Sequence, residues 1–327
     1  MAATDTKKEA LFNEVKGSLF EYLVGREIAV RAGDELDFQR SLDAHYLTVL
    51  SQQDRMVRQF YPEMGAFLRE VARLTTGEIG RYLGPGMTRP RLLGKFVNSS
   101  LGSVIREADL SVQLAGEERF LSLKLNKKNA YVNTKSAGIK SFFTQYFPFV
   151  SPGTQEDFSA LVEMEFETMA RELHAHRDLP YAGDFSLWVK AGHSELPGEL
   201  APEERLILKR YYARIARRMH EILASLSAQD PAGFQRSLRP LMGFGHSDVV
   251  QVICFHDMKA QAHPEIHIHE LRCHDLSRAR VLPFGDVASV EIELGGSSLQ
   301  VRVKPMNKFT TTAIKINCSM KFSPTLP

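Results

Sequence analysis

Ala108-Asp109-Leu110-Ser111-Val112-Gln113-Leu114-Ala115-Gly116-Glu117-Glu118-Arg119-Phe120-Leu121-Ser122-Leu123-Lys124-Leu125 alternates apolar and polar residues on either side of a glycine-containing turn. A period of two predicts a β-hairpin with one buried face. With Ala115 to Glu118 as the loop, Leu114 pairs with Arg119, Val112 with Leu121, Leu110 with Leu123 and Asp109 with Lys124. The leucines and Val112 then share the face that must be buried, while Asp109, Ser111, Gln113, Ser122 and Lys124 share the polar face. A carboxylate and an ammonium are therefore expected opposite one another. As a plain cross-strand ion pair they contribute roughly 0.2–1 kcal/mol. As chemistry they form half of a phosphodiester-cleaving site. There the carboxylate holds Mg²⁺, which prefers oxygen ligands, and the lysine orients or deprotonates water and offsets phosphate charge.

Upstream, residues 10 to 32 carry Leu11, Val15, Leu19, Tyr22, Leu23 and Ile28 at helical spacing, with Gly33 as a stop. Residues 36 to 83 read as one or two further helices, ended by Gly84-Pro85-Gly86. Downstream, residues 129 to 141 read as a polar loop before the aromatic run Phe142-Phe143-x2-Tyr146-Phe147, and helices follow at 155–176 and 202–227. Strands are expected at 249–255, 266–273, 287–294, 299–303 and 311–322, and a further Asp/Lys strand at 184–190 around Trp188. Helices first and strands later predict an α+β fold. It would have N-terminal helices, a mixed sheet core, central helices and a mostly antiparallel C-terminal sheet. A boundary near Pro148 to Gly153 separates a core at 1–150 from a helical and β-rich region at 151–327, which could complete the same domain.

The hairpin resembles the Asp…(Asp/Glu)-x-Lys hairpin of the PD-(D/E)xK nuclease superfamily, the restriction-endonuclease-like proteins. Lys16-Gly17-Ser18-Leu19-Phe20-Glu21-Tyr22-Leu23-Val24 is similar to that superfamily's first helix, where a Gly-x-x-Phe-Glu pattern sends a glutamate to the metal. The resemblance covers residues 14 to 140. It implies a Mg²⁺-dependent endonuclease, with Mn²⁺ as a substitute, acting on DNA through Asp109, Lys124, Glu21 and the position of Ser122. The chain departs from the pattern at Ser122, which stands where the second carboxylate belongs. Glu21 is the first candidate to supply it and Glu14 the next, giving Asp109, Glu21 and Glu14 as the expected metal ligands. A homodimer is compatible with this class.

Net charge is only +2 over 327 residues, but it is unevenly spread. Residues 95 to 147 hold eight Lys/Arg against four Asp/Glu, and residues 299 to 327 hold five basic residues and no acid. Such patches suit a polyanion, so Lys127, Lys128, Tyr131, Lys135 and Lys140 are candidates for nucleic-acid contact, as are Lys209, Arg210, Arg214 and Arg217. The plain alternative is solvated faces, and a non-catalytic nucleic-acid-binding protein is the competing function.

A third reading rests on His263-Pro-Glu265-Ile-His267-Ile-His269-Glu270, where His267 and His269 share a strand face and would need partners such as His246 or His256 to hold zinc or iron. A second hairpin would pair Glu291 with Arg302 and Glu293 with Gln300, with Lys304 on the same face, offering the same chemistry without a helix before it. Phosphate-loop, dinucleotide and serine-hydrolase motifs are absent from the sequence. Three scattered cysteines, no apolar leader and no long apolar run predict a cytoplasmic protein without membrane contact.

Overall fold

The structure is a computed structural model and describes residues 2–93, 107–128, 130–245, 249–257 and 263–322, with side chains from Phe12 onward. Contacts divide the chain into two interleaved units, one of residues 3–130 and 244–273, the other of 131–243 and 274–327. The sequence reading placed its boundary near residue 150.

The first unit opens with four helices: α1 (Ala2–Ala32), α2 (Glu35–Ser41), α3 (Ala44–Phe60) and α4 (Pro62–Leu83). Residues 36 to 83 thus hold three helices. Asp43 separates two of them, its carboxylate accepting the N–H groups of His45 and Tyr46 at 2.8 and 3.2 Å. Strands β1 (Thr88–Leu92), β2 (Leu110–Leu114), β3 (Glu117–Lys127), β5 (Val249–His256) and β6 (Glu265–His269) form one sheet in the order β1-β2-β3-β5-β6. All pairs are antiparallel except β3 with β5, which is parallel. The sheet is therefore mixed, and a parallel pair requires a long crossover, which here runs through the whole of residues 131–243.

The leucine face of the hairpin is buried as its pattern predicts. Leu110, Val112, Leu121 and Leu123, joined by Val250, Val252 and Cys254 of β5, pack against Leu19, Phe20, Val24 and Ile28 of α1 and against α3 and α4. Gly25 permits α1 to lie this close: a Cβ there would sit 2.9 Å from the Phe38 ring and 3.1 Å from Leu110. The opposite face is also largely covered, with Ser111 and Ser122 buried, so it is not the solvated face that alternation suggested.

The hairpin register differs from the expected one by two residues. Leu114 faces Glu117, Val112 faces Arg119 and Leu110 faces Leu121. The loop is the two-residue turn Ala115–Gly116, with φ of 52° and 86°. Consecutive left-handed residues make the tight turn that matches strand twist. A shift of two leaves every side chain on its expected face.

The second unit carries the all-antiparallel sheet β4-β10-β9-β8-β7, built from β4 (Val132–Gly138), β7 (Arg280–Val281), β8 (Ser289–Glu293), β9 (Ser297–Pro305) and β10 (Ile314–Phe322). Its helices are α5 (Phe142–Tyr146), α6 (Pro152–His176), α7 (Ser186–Lys190), α8 (Pro202–Gln229) and α9 (Pro231–Leu241). Two expectations fail here. The polar stretch read as a loop is largely an edge strand, β4, held by six register pairs to β10. The Asp184 to Lys190 stretch is not a strand but a turn of helix over Ser186–Lys190, preceded by Asp184, whose carboxylate accepts Ser186 N–H at 2.8 Å. Trp188 is buried there, its indole N–H donating to Ser194 O at 2.9 Å.

Candidate active site

The two-residue register shift moves Asp109 away from Lys124 along the ladder, yet the pair still meets. Asp109 lies just before β2 and donates its N–H to Leu121 O at 2.8 Å. Its carboxylate then continues the ladder in place of a backbone carbonyl. Oδ2 accepts Leu123 N–H at 2.7 Å, Lys124 Nζ at 3.0 Å and Ser122 Oγ at 3.3 Å. The side chains of Lys124 and Asp109 are 30% and 19% exposed, so the pair is more enclosed than a surface ion pair, while Ser122 beside it is only 3% exposed.

Glu21 of α1 joins this neighbourhood through its charge. Burial opposes the Lys124 ammonium most strongly, but the Asp109 carboxylate, its hydrogen bond and Glu21 hold the Lys124 pKa above its ordinary value. The same two carboxylates act on Tyr46 of α3, whose pKa is raised chiefly by burial and then by Glu21 and Asp109. Asp109, Ser122 and Lys124 thus form one hydrogen-bonded group, and the charge of Glu21 acts on Lys124 and Tyr46. Glu14 is on the exposed side of α1.

The register also brings in residues that local patterns do not reveal. Ser122 faces Gln251 of β5, which faces His269 of β6; Lys124 faces Ile253, which faces His267. Neighbouring residues in register share a face, so His267 and His269 stand on the Lys124 face, two strands or roughly 10 Å away. Gln251 and His269 are buried. No periodicity signals this placement, because β3 and β5 are separated by the entire second unit.

Among the described residues no third ligand joins His267 and His269. The His267 and His269 rings lie 6.2 Å apart and stacked, and Glu265 is paired with Lys128. His256 projects with Val252 and Cys254 to the opposite face, against Phe67 at 5.2 Å, and His246 lies outside the described residues. Among the described residues no three His, Cys, Asp or Glu side chains form a group that could hold a metal.

The second hairpin repeats the register shift. Glu291 faces Gln300 and Glu293 faces Ser298, around the turn Gly295–Gly296 with φ of 62° and 123°. Glu291 accepts Gln300 Nε2–H at 2.7 Å, and Glu293 accepts Arg280 Nε–H at 2.6 Å. Lys304 faces Lys315, and burial followed by Lys315 and Arg302 lowers its pKa. The carboxylate–ammonium pairing expected there does not form, whereas the first hairpin has it.

Of the basic candidates, Lys127 and Lys128 belong to the first unit, while Tyr131, Lys135 and Lys140 belong to the second. Lys127 is exposed, Lys140 pairs with Glu163 at 2.7 Å, and Lys321 lies 5.8 Å over the exposed Tyr131 ring. Lys135 stands on β4 opposite Cys318. On α8, Arg210 binds Glu172 at 2.7 Å, Arg214 binds Glu165, and Arg217 binds Asp286 at 2.8 Å. Of the basic residues of α8, Arg210 and Arg214 are answered by acids of α6. Lys209 is exposed.

Comparison with family models, with curated proteins and with solved structures finds no match to this chain. No helix among the described residues is long and apolar enough to cross a membrane.

Proposed function

We propose that the first unit is a metal-dependent phosphodiesterase of restriction-endonuclease-like type, acting on DNA at the Asp109–Lys124 pair. The observation that carries this reading is the Asp109–Lys124 pair, with Ser122 beside it, at the end of a hairpin packed against α1, the helix that bears Glu21. Glu21 is the acid the resemblance asks for once Ser122 occupies the second carboxylate's place.

The donor chemistry fits magnesium better than zinc. Zinc favours three or four His, Cys or acidic ligands, a set the described residues lack. Magnesium is held by one or two carboxylates, with waters and substrate phosphate completing the shell, and Asp109 and Glu21 are carboxylates of that kind. When bound, Mg²⁺ or Mn²⁺ supplies Lewis-acid activation of water and phosphate. The chain's own residues do the rest. Leu123 N–H and Ser122 Oγ hold Asp109 in one orientation. Lys124 stays an ammonium and offsets charge building on the phosphate oxygens.

The test is cleavage of plasmid and oligonucleotide DNA, and of RNA, with Mg²⁺. Asp109→Ala should lower cleavage by orders of magnitude while binding is kept, and Lys124→Ala should do the same with slightly weaker binding. DNA binding without cleavage by the unaltered protein assigns it to the non-catalytic class, and full activity in Asp109→Ala removes the proposal.

A further inference from the structure

α4 ends at Leu83, where Gly84 takes a φ of 100°, and its last two residues form part of a cleft of about 310 Å³. The lining belongs entirely to the first unit. Leu83, Leu114 of β2, and Val249 and Val250 of β5 supply its apolar surface. Both valines are buried, while Tyr82 beside them is 39% exposed. A cleft of roughly 300–1,000 Å³, apolar for the most part and carrying a few placed polar groups, is the usual form of a small-molecule site.

Arg119 of β3 and Arg272, just beyond β6, line the same cleft. Arg119 stands opposite Val112 on the helix-covered face. Lys124 lies on the other face, roughly 17 Å further along the strand. Each guanidinium is tied on one side only. Arg119 donates from Nη2 to Glu117 at 2.7 Å. Arg272 donates from Nε to Glu270 at 2.6 Å, and its Nη2 lies 3.5 Å from the Tyr82 hydroxyl. A guanidinium carries five N–H donors in a planar fork, so Arg119 keeps Nε and Nη1, and Arg272 keeps Nη1, without a partner among the described residues.

Two cations beside an apolar surface call for an anion with an apolar body. Glu117 and Glu270 balance the two arginines, so the group has no net charge. That balance suits a monoanion better than a phosphate dianion or a polyanion. A planar carboxylate also matches the guanidinium fork, two oxygens to two N–H groups. We propose that this cleft binds a small organic monocarboxylate, its carboxylate held by Arg119 and Arg272 and its apolar body by the leucines and valines beside the Tyr82 ring. Glu270 acts as a positioning residue that fixes the Arg272 guanidinium. The site is separate from the Asp109–Lys124 pair and does not rest on the nuclease reading.

The experiment is methyl NMR of the whole protein titrated with sodium benzoate, with acetate, benzyl alcohol and inorganic phosphate as comparison probes. Benzoate should saturate in the millimolar range, as expected of a fragment of its size, and move the methyl signals of Leu83, Leu114, Val249 and Val250. Acetate lacks the apolar body and benzyl alcohol lacks the charge, so each should bind at least about tenfold more weakly. The Arg119 and Arg272 side chains are 42% and 76% exposed, so Arg119→Gln/Arg272→Gln should keep the fold, which its ligand-free methyl spectrum checks. That variant should bind benzoate at least about tenfold more weakly. An unchanged benzoate response in the variant, or benzyl alcohol binding as tightly as benzoate, overturns the proposal. So does phosphate binding more tightly than benzoate, or a benzoate response that leaves these four residues unmoved. The readout involves no cleavage, so failure here and failure of the nuclease reading are separate results.

Discussion

Asp109→Ala should destabilise the first unit by about 2–4 kcal/mol, several times what an exposed ion pair contributes. The magnitude follows from what the carboxylate holds. Leu123 N–H, donated at 2.7 Å from a residue that is 3% exposed, would lose its partner, and an unsatisfied buried donor costs about 1–3 kcal/mol. Lys124 is exposed enough to rehydrate, which limits its share to about 1 kcal/mol. Ser122 can turn its hydroxyl elsewhere and adds little. Asp109→Asn keeps an oxygen for Leu123 N–H and should cost about half as much. Tryptophan fluorescence would miss the effect, because Trp188 belongs to the second unit. Hydrogen exchange at the Leu123 amide and the β3–β5 amides reads it instead. An Asp109→Ala protein within about 0.5 kcal/mol of the parent, with Leu123 equally protected, would refute the claim that this carboxylate is built into the ladder.

Glycine in α1 offers a paired test. Gly17→Ala meets nothing within 4 Å and should stabilise by about 0.5–1 kcal/mol. Gly25→Ala must displace the fully buried Phe38 ring and should destabilise by about 1 kcal/mol despite the same helix preference, both read from denaturant midpoints. In the second unit Glu204 is buried, yet the Arg177 hydrogen bond at 2.5 Å and Ala201 N–H outweigh burial and hold its pKa below the usual carboxylate value. A depressed acid pKa contributes stability above its ordinary value of 4.5, lost as pH falls through the folded value. Glu204→Gln should flatten the acid limb of the second unit's unfolding curve, and an unchanged limb would contradict the assignment. Burial pushes His274 from 6.5 down to about 4, so the unfolded state binds the proton first. Stability should fall between those values as pH drops, and His274→Asn should remove that slope. Burial also raises the Cys254 and Cys318 thiols to about 12. Only Cys273 should react with a thiol reagent in the native state.

Much of the fold was written in local periodicity. Alternation at 108–125 sent Leu110, Val112, Leu121 and Leu123 to the core, and the 3.6 period placed α1, α6 and α8. Registers were misread by two residues in both hairpins because turn length depends on backbone dihedrals. Ala115, a residue with a Cβ, adopts a left-handed φ of 52° that its identity does not announce. The strand β4 was hidden because Val-Asn-Thr-Lys-Ser-Ala-Gly has almost no apolar face, being held by backbone pairing at a sheet edge. Helix α7 was read as a strand because a five-residue apolar segment fits either period. Least legible was the β3–β5 pairing, set by contacts across the second unit, and with it the placement of Gln251, His269 and His256 around the hairpin. The Asp109–Lys124 contact was found from a wrong register, because a shift of two preserves the face and a lysine side chain spans the difference.

The central claim, that Asp109 and Glu21 are the two acids of a metal-dependent phosphodiester site at Lys124, is tested most directly by a crystal structure of the protein soaked with Mn²⁺, whose anomalous signal marks the ion. The account predicts one strong peak bridged by the carboxylates of Asp109 and Glu21 and lost in Asp109→Ala. A peak on the His267–His269 strand, or no peak near Asp109 at full soaking concentration, would contradict it.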